Sequence, residues 1–187
     1  WCETGCDNTC KQRFGWKLGD LPHGYDHKYI YSNLGYNLKI TDMQAAIGFA
    51  QLSKLESFIK KRNENFKLLL EVFKHFEGFF VLPKATKSAK PSWFGFPLSI
   101  KNNLDINRNH LLEYLNNKNI GTRLMFAGNI LRQPYMKNIK FKTSGTFANS
   151  DFIMNNSFWL GNFPGIGKEH INYVGKTIDS YINKFAR

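Results

Sequence analysis

A chain of 187 residues that is 42% hydrophobic can bury one sizeable core with an attached arm. No apolar run approaches the roughly 20 residues that a membrane-spanning helix needs, and no signal-peptide pattern opens the chain, so a cytoplasmic protein is the expectation. The net charge of +12 invites a nucleic-acid reading, but the excess is dispersed: residues 1–40 hold five Lys/Arg against four Asp/Glu, residues 41–91 nine against five, and residues 92–187 twelve against five. No nucleic-acid partner is expected from so even a spread.

Residues 1–40 read as a loop-rich aromatic arm, with Phe14, Trp16, Tyr25, Tyr29, Tyr31 and Tyr36 broken by Gly15, Gly19, Gly24 and Gly35. The three cysteines, Cys2, Cys6 and Cys10, all fall in its first ten residues. Their spacing could stack them on one helix face, but Gly5, Asp7, Asn8 and Thr9 favour a turn-rich loop. Grouped thiolates suit an iron–sulfur cluster or zinc, either of which normally takes four ligands; unligated thiols are the alternative. His23 and His27, four apart, could formally complete a zinc set, which gives a competing reading as a zinc-stabilised basic binding module. The chain opens on Trp1 and not on Met, and the expectation is a trimmed or incomplete sequence.

Thr41-x-x-Gln44 has the form of a capping box. From Met43 to Phe73 apolar residues recur at three- and four-residue steps, which predicts one long helix from about Asp42 to Glu77, ended by Gly78. Ala45-Ala46-Ile47-Gly48 is small enough for another backbone to approach. Short strands are predicted over Phe79–Pro83 and Ser92–Ile100, a helix over Asn107–Lys118, and a strand over Ile120–Phe126. Ala127–Ser150 reads as irregular, Asn149–Asn156 as a short helix capped by Asn149 or Ser150, Phe158–Phe163 as a strand, and Lys168–Phe185 as a final amphipathic helix. The order suggests a small α/β or α+β domain. The expected organisation is an arm (1–40), a long linking helix (41–78) and a small domain (79–187).

Several motifs then line up with a known family. Gly-Cys-Asp-Asn-Thr-Cys at 5–10, Gly24-Tyr25-Asp26-His27-Lys28-Tyr29, Gly35 to Ala46, Gly121-Thr122-Arg123, Phe126-Ala127-Gly128-Asn129, Arg132-Gln133-Pro134 and Phe158-Trp159 run nearly end to end. Together they resemble the DegT/DnrJ/EryC1/StrS family of sugar aminotransferases and dehydratases. Within it they are most similar to the CDP-4-keto-6-deoxyglucose 3-dehydrase branch that makes 3,6-dideoxyhexoses. The resemblance implies the fold-type-I aspartate-aminotransferase architecture, of which this chain would be the C-terminal part. It implies pyridoxamine phosphate (or pyridoxal phosphate) as cofactor, removal of the C3 hydroxyl of a CDP-4-keto-6-deoxyhexose in O-antigen biosynthesis, and a homodimer. In the cluster-bearing branch it also implies a [2Fe–2S] centre fed by a partner reductase. An aminotransferase of the same fold is the alternative.

The site residues follow from the same resemblance. Asn37 matches an asparagine that reaches the cofactor phosphate of the neighbouring subunit, and Lys39 stands where many relatives have arginine. An amide beside a helix N-terminus suits an anion, while lysine keeps the charge but loses the bidentate fork. Cys2 and Cys10 match cluster ligands, with Cys6 in the same pattern. Phe126, Gly128 and Asn129 resemble a loop that closes over the nucleotide sugar. There Gly128 would let backbone approach a ligand, Asn129 would bond a sugar hydroxyl, and Arg123 or Arg132 would pair with diphosphate. The lysine-or-histidine choice that separates transaminase from dehydratase is expected upstream of Trp1. None of His23, His27, His75, His110 or His170 sits in its motif.

Overall fold

Alternating apolar residues at Phe96, Leu98 and Ile100 and at Phe158 and Leu160 mark strands that bury one face, and they form the centre of a four-stranded sheet. The computed structural model describes residues 9, 11–17, 19–26, 29–31, 33–36, 38–102 and 104–185. The candidates Cys2, Cys6, Cys10, His27 and Asn37 lie outside the described residues. The chain comprises two compact units, residues 1–48 and 49–187.

Among the described residues of the first unit, turns, bends and irregular stretches predominate up to Ile40. Arg13 donates from Nε at 3.0 Å and from Nη2 at 2.7 Å to Asp26 Oδ2, and Gly24, at φ +80°, donates its N–H to Trp16 O. The capping box forms as expected: Gln44 Oε1 accepts from Thr41 N–H at 2.9 Å, and Thr41 Oγ1 accepts from Gln44 N–H at 3.3 Å. It opens helix α1, Asp42–Leu52.

The single helix predicted from Asp42 to Glu77 is corrected by the structure. Ser53 and Lys54 turn the chain, and α2 runs separately over Leu55–Phe73. Serine hydroxyls take carbonyls that the helix ladder would use, Ser53 Oγ bonding Ala50 O at 3.3 Å and Ser57 Oγ bonding Lys54 O at 2.7 Å. Nor does Gly78 end the second helix. A 3-10 turn over Lys74–Phe76 does so, tightening the chain so that Phe76 can bury with its ring against Phe73 at 5.8 Å.

The sheet holds β1 (Phe80–Val81), β2 (Gly95–Ile100), β3 (Thr122–Leu124) and β4 (Ser157–Gly161), in the order β1-β2-β4-β3 with every pair antiparallel. On its apolar face pack α2, α3 (Arg108–Asn117) and α5 (Lys168–Phe185) through Leu69, Phe73, Leu111, Leu115, Ile171 and Ile178. Asn107, which the sequence placed inside this helix, caps α3, its side chain accepting from His110 N–H. Helix α4, Ala148–Asn156, touches β2 and β4. Its N-cap is Phe147, with no side-chain cap, in place of the expected Asn149 or Ser150. The fold class is thus the expected mixture of helices and a small sheet.

Candidate functional site

Strand register decides what the sheet shows on the face away from its core. Pro97, Trp159 and Arg123 fall in one cross-strand row, beside the pair Gly95 and Gly161. The glycine at 95 is a steric necessity, because a Cβ there would lie 2.3 Å from Trp159 Cε3. The indole is held flat over the strands by its Nε1–H, which donates to Leu124 O at 3.0 Å. Phe94 meets it edge-on at 5.1 Å, and Phe126 stands at 6.3 Å, tilted by 40°.

These three rings wall two adjoining hollows. One, of about 950 Å³, is lined by Asn116, Thr122, Arg123, Phe126 and Trp159. The other, of about 230 Å³, is apolar and includes Pro97 and Met125. Arg123 is exposed and shows no hydrogen bond or ion pair among the described residues, so a cation of fixed charge faces the larger groove unneutralised.

The loop that follows β3 is bent sharply and then fastened. Phe126 N–H donates to Leu124 O at 2.7 Å, and Phe126 itself sits at φ +46°, in the left-handed region that a bulky L-residue avoids. Its ring is 76% exposed. Gly128 is at φ +64°, and a Cβ on it would come 2.5 Å from Met154 Cγ. The close approach expected of Gly128 is therefore made to α4 of its own chain. Gln133 Nε2 donates to Ala127 O at 2.8 Å, crossing the loop.

Asn129 is 3% exposed and its amide is engaged inside the chain: Nδ2 donates to Asp151 Oδ1 at 2.7 Å, and Oδ1 accepts from Leu131 N–H at 3.1 Å. Arg132 grips the same carboxylate in a fork, Nε to Oδ1 at 3.1 Å and Nη2 to Oδ2 at 2.8 Å. The Arg132 guanidinium and then the Asn129 amide hold the Asp151 carboxyl down at about 2, and the carboxylate in turn raises Arg132. Of the residues expected at a substrate site, Arg123 and Phe126 therefore face the groove, while Gly128, Asn129 and Arg132 build the loop behind it.

Sequence reasoning missed Phe94 and Asp151, and took Trp159 only as part of a motif. Cross-strand register would have paired Trp159 with Arg123, but no local pattern ties an acid in a nine-residue helix to an arginine 19 positions away. In the other unit Lys39 is exposed, two positions before the Thr41 cap. A cation beside a helix N-terminus fits a phosphate, and Asp42 in the first turn is the adverse charge there. Among the described residues no group of three or more His, Cys, Asp or Glu side chains is placed to hold a metal, and no helix is long and apolar enough to cross a membrane.

The sequence pattern of the DegT/DnrJ/EryC1/StrS aminotransferase family matches residues 18–179. The chain is 51% identical over 181 residues to the lipopolysaccharide biosynthesis protein RfbH of Salmonella typhimurium, covering 97% of this chain and 41% of that protein. It is 44% identical over 184 residues to dTDP-4-dehydro-2,6-dideoxy-D-glucose 3-dehydratase of Saccharopolyspora spinosa, covering 98% of this chain and 40% of the relative. Among solved structures it is similar to E. coli GDP-4-keto-6-deoxy-D-mannose-3-dehydratase with bound hydrated PLP, at a TM-score of 0.74 and 27% identity, over 91% of this chain and 46% of that one. The chain thus spans about 40% of the length of the curated relatives it matches.

Proposed function

The chain belongs to the DegT/DnrJ/EryC1/StrS aminotransferase family, and from that premise we propose that it supplies part of a nucleotide-sugar 3-dehydratase of deoxysugar biosynthesis dependent on pyridoxamine or pyridoxal phosphate. One observation carries the reading. The segment that matches a nucleotide-sugar 3-dehydratase at 44% identity and a lipopolysaccharide biosynthesis protein at 51% folds into an aromatic groove with an unneutralised arginine, which is chemistry suited to an anionic, ring-bearing sugar nucleotide. A CDP-4-keto-6-deoxyhexose is the proposed substrate.

Each residue then has a task. Arg123 pairs with the diphosphate through its fork, and Phe126 and Trp159 cover apolar ring faces and keep water from the groove. Asn129 and Arg132 hold the loop that carries Phe126. The pyridoxal-type cofactor, when bound, supplies the electron-withdrawing ring that loss of a hydroxyl next to a keto carbon requires. Lys39, with Asn37, would hold its phosphate, and in the proposed homodimer that phosphate belongs to the cofactor of the neighbouring subunit. The exposed apolar residues of α1, Met43, Ile47, Phe49 and Leu52, support an interface there. Cys2 and Cys10, with Cys6 beside them, would be ligands to a [2Fe–2S] cluster served by a reductase partner, the remaining ligand or ligands coming from elsewhere in the whole protein.

The test is turnover by the whole protein, loaded with pyridoxamine phosphate and given CDP-, dTDP- or GDP-4-keto-6-deoxyhexose in turn. Loss of the C3 hydroxyl, followed by NMR, is the expected result. An amino sugar formed from an amino-acid donor without dehydration would make it a transaminase and overturn the reading.

A further inference from the structure

Asp151 has no part in the proposed chemistry, yet it is the point at which the groove loop is fastened. It stands in the first turn of α4 and receives three hydrogen bonds from the loop, one from Asn129 at 2.7 Å and two from Arg132 at 3.1 and 2.8 Å. Three positions along the same helix, Met154 receives Gly128 so closely that no Cβ fits between them. Residues three apart share a helix face, so α4 offers one ionic and one steric anchor side by side. The helix packs on β2 and β4, and β4 carries Trp159. The fastening therefore ties the loop to the frame that holds the other wall of the groove.

The loop needs such fastening because of Phe126. At φ +46° its backbone is strained, and a strained residue keeps its conformation only where its surroundings over-determine it. The anchors at Gly128, Asn129 and Arg132 follow within six residues. Asp151 is the acceptor for two of them.

We propose that Asp151 is a positioning residue of the groove: through Asn129 and Arg132 it fixes the Phe126–Gln133 loop so that Phe126 stands over the surface that Arg123 and Trp159 present to the nucleotide sugar. The inference rests on the groove being the nucleotide-sugar site. Asp151 touches no reacting atom, and its effect on catalysis passes through the loop alone.

The experiment uses the whole enzyme and two readouts, steady-state kinetics and amide hydrogen exchange of the 126–133 segment. In Asp151→Asn one carboxylate oxygen becomes an amide that faces Arg132. Its KM for the nucleotide sugar should rise about tenfold or more, with kcat and cofactor loading little changed, and exchange of the loop should quicken by a similar factor while the sheet stays protected. Arg132→Gln, which spares the carboxylate and alters an exposed side chain, should move both readouts the same way, and it supplies them if Asp151→Asn does not fold. Faster exchange with unchanged KM would reduce Asp151 to a purely structural residue, and a raised KM with unchanged exchange would mean direct ligand contact; either overturns the proposal. If the wild-type enzyme turns over no nucleotide sugar, the functional reading fails, and the loop's exchange still decides whether Asp151 fastens it.

Discussion

Gly128 combines a left-handed backbone at φ +64° with contact so close that a methyl group would sit 2.5 Å from Met154 Cγ. Gly128→Ala should cost about 2–4 kcal/mol, combining the left-handed penalty with overpacking, as read from urea denaturation. Pairing it with Met154→Ala should cost less than the sum of the two single changes, because the overlap is shared. Asp151 gives a second residue-scale prediction. Its folded pKa, about 2, lies below the ordinary carboxylate value, so its contribution to stability is complete above about pH 4 and is lost as pH falls toward 2. Acid unfolding of Asp151→Asn should lack that part of the pH dependence. The glycine was legible as a turn signal, but what it packs against was not, since Met154 lies 26 positions on.

Among the elements, α5 was the most legible. Ile171, Val174, Ile178 and Ile182 fix one apolar stripe, and the observed bounds Lys168–Phe185 are those that the stripe predicts. The helix break at Ser53–Lys54 was not legible, because the apolar period continues through it while the side chains on its two sides meet different fates: none of α1 is buried, whereas α2 buries Phe66, Leu69 and Phe73. Periodicity reports that a face is apolar and leaves open what covers it. Buried amides join elements in a way no pattern announces. Asn162, after β4, donates to Arg62 O in α2 at 3.0 Å and to Trp93 O before β2 at 2.8 Å. Asn162→Ala leaves both carbonyls short of a donor in a buried place and should cost about 2–4 kcal/mol, measured by thermal or urea unfolding. Val81→Ala, on an exposed strand position, should change stability far less.

For the whole molecule, the exposed apolar side chains of α1 are the feature that a chain of this length leaves unexplained by its own core. On the proposed dimer, Ile47→Asp places a charge in the interface and should weaken association by about tenfold or more, read by sedimentation at several concentrations. An unchanged dissociation constant would remove α1 from the interface. The dispersed excess of +12 sets a general attraction for anions but does not choose a site. At the proposed groove the cation left for the diphosphate is Arg123, because the nearby Arg132 is neutralised by Asp151.

By itself the sequence determined the order of the α-helices and strands in the second unit, the family, and the short list of loop residues, since apolar period, turn residues and motif spacing are local or are carried along the chain. The tertiary structure decided which of those residues face outward. Strand register put Trp159 beside Arg123, and α4 took Asn129, Gly128 and Arg132 as loop anchors. Both decisions depend on contacts between residues far apart in sequence, where packing and charge pairing choose among partners that spacing alone leaves equivalent.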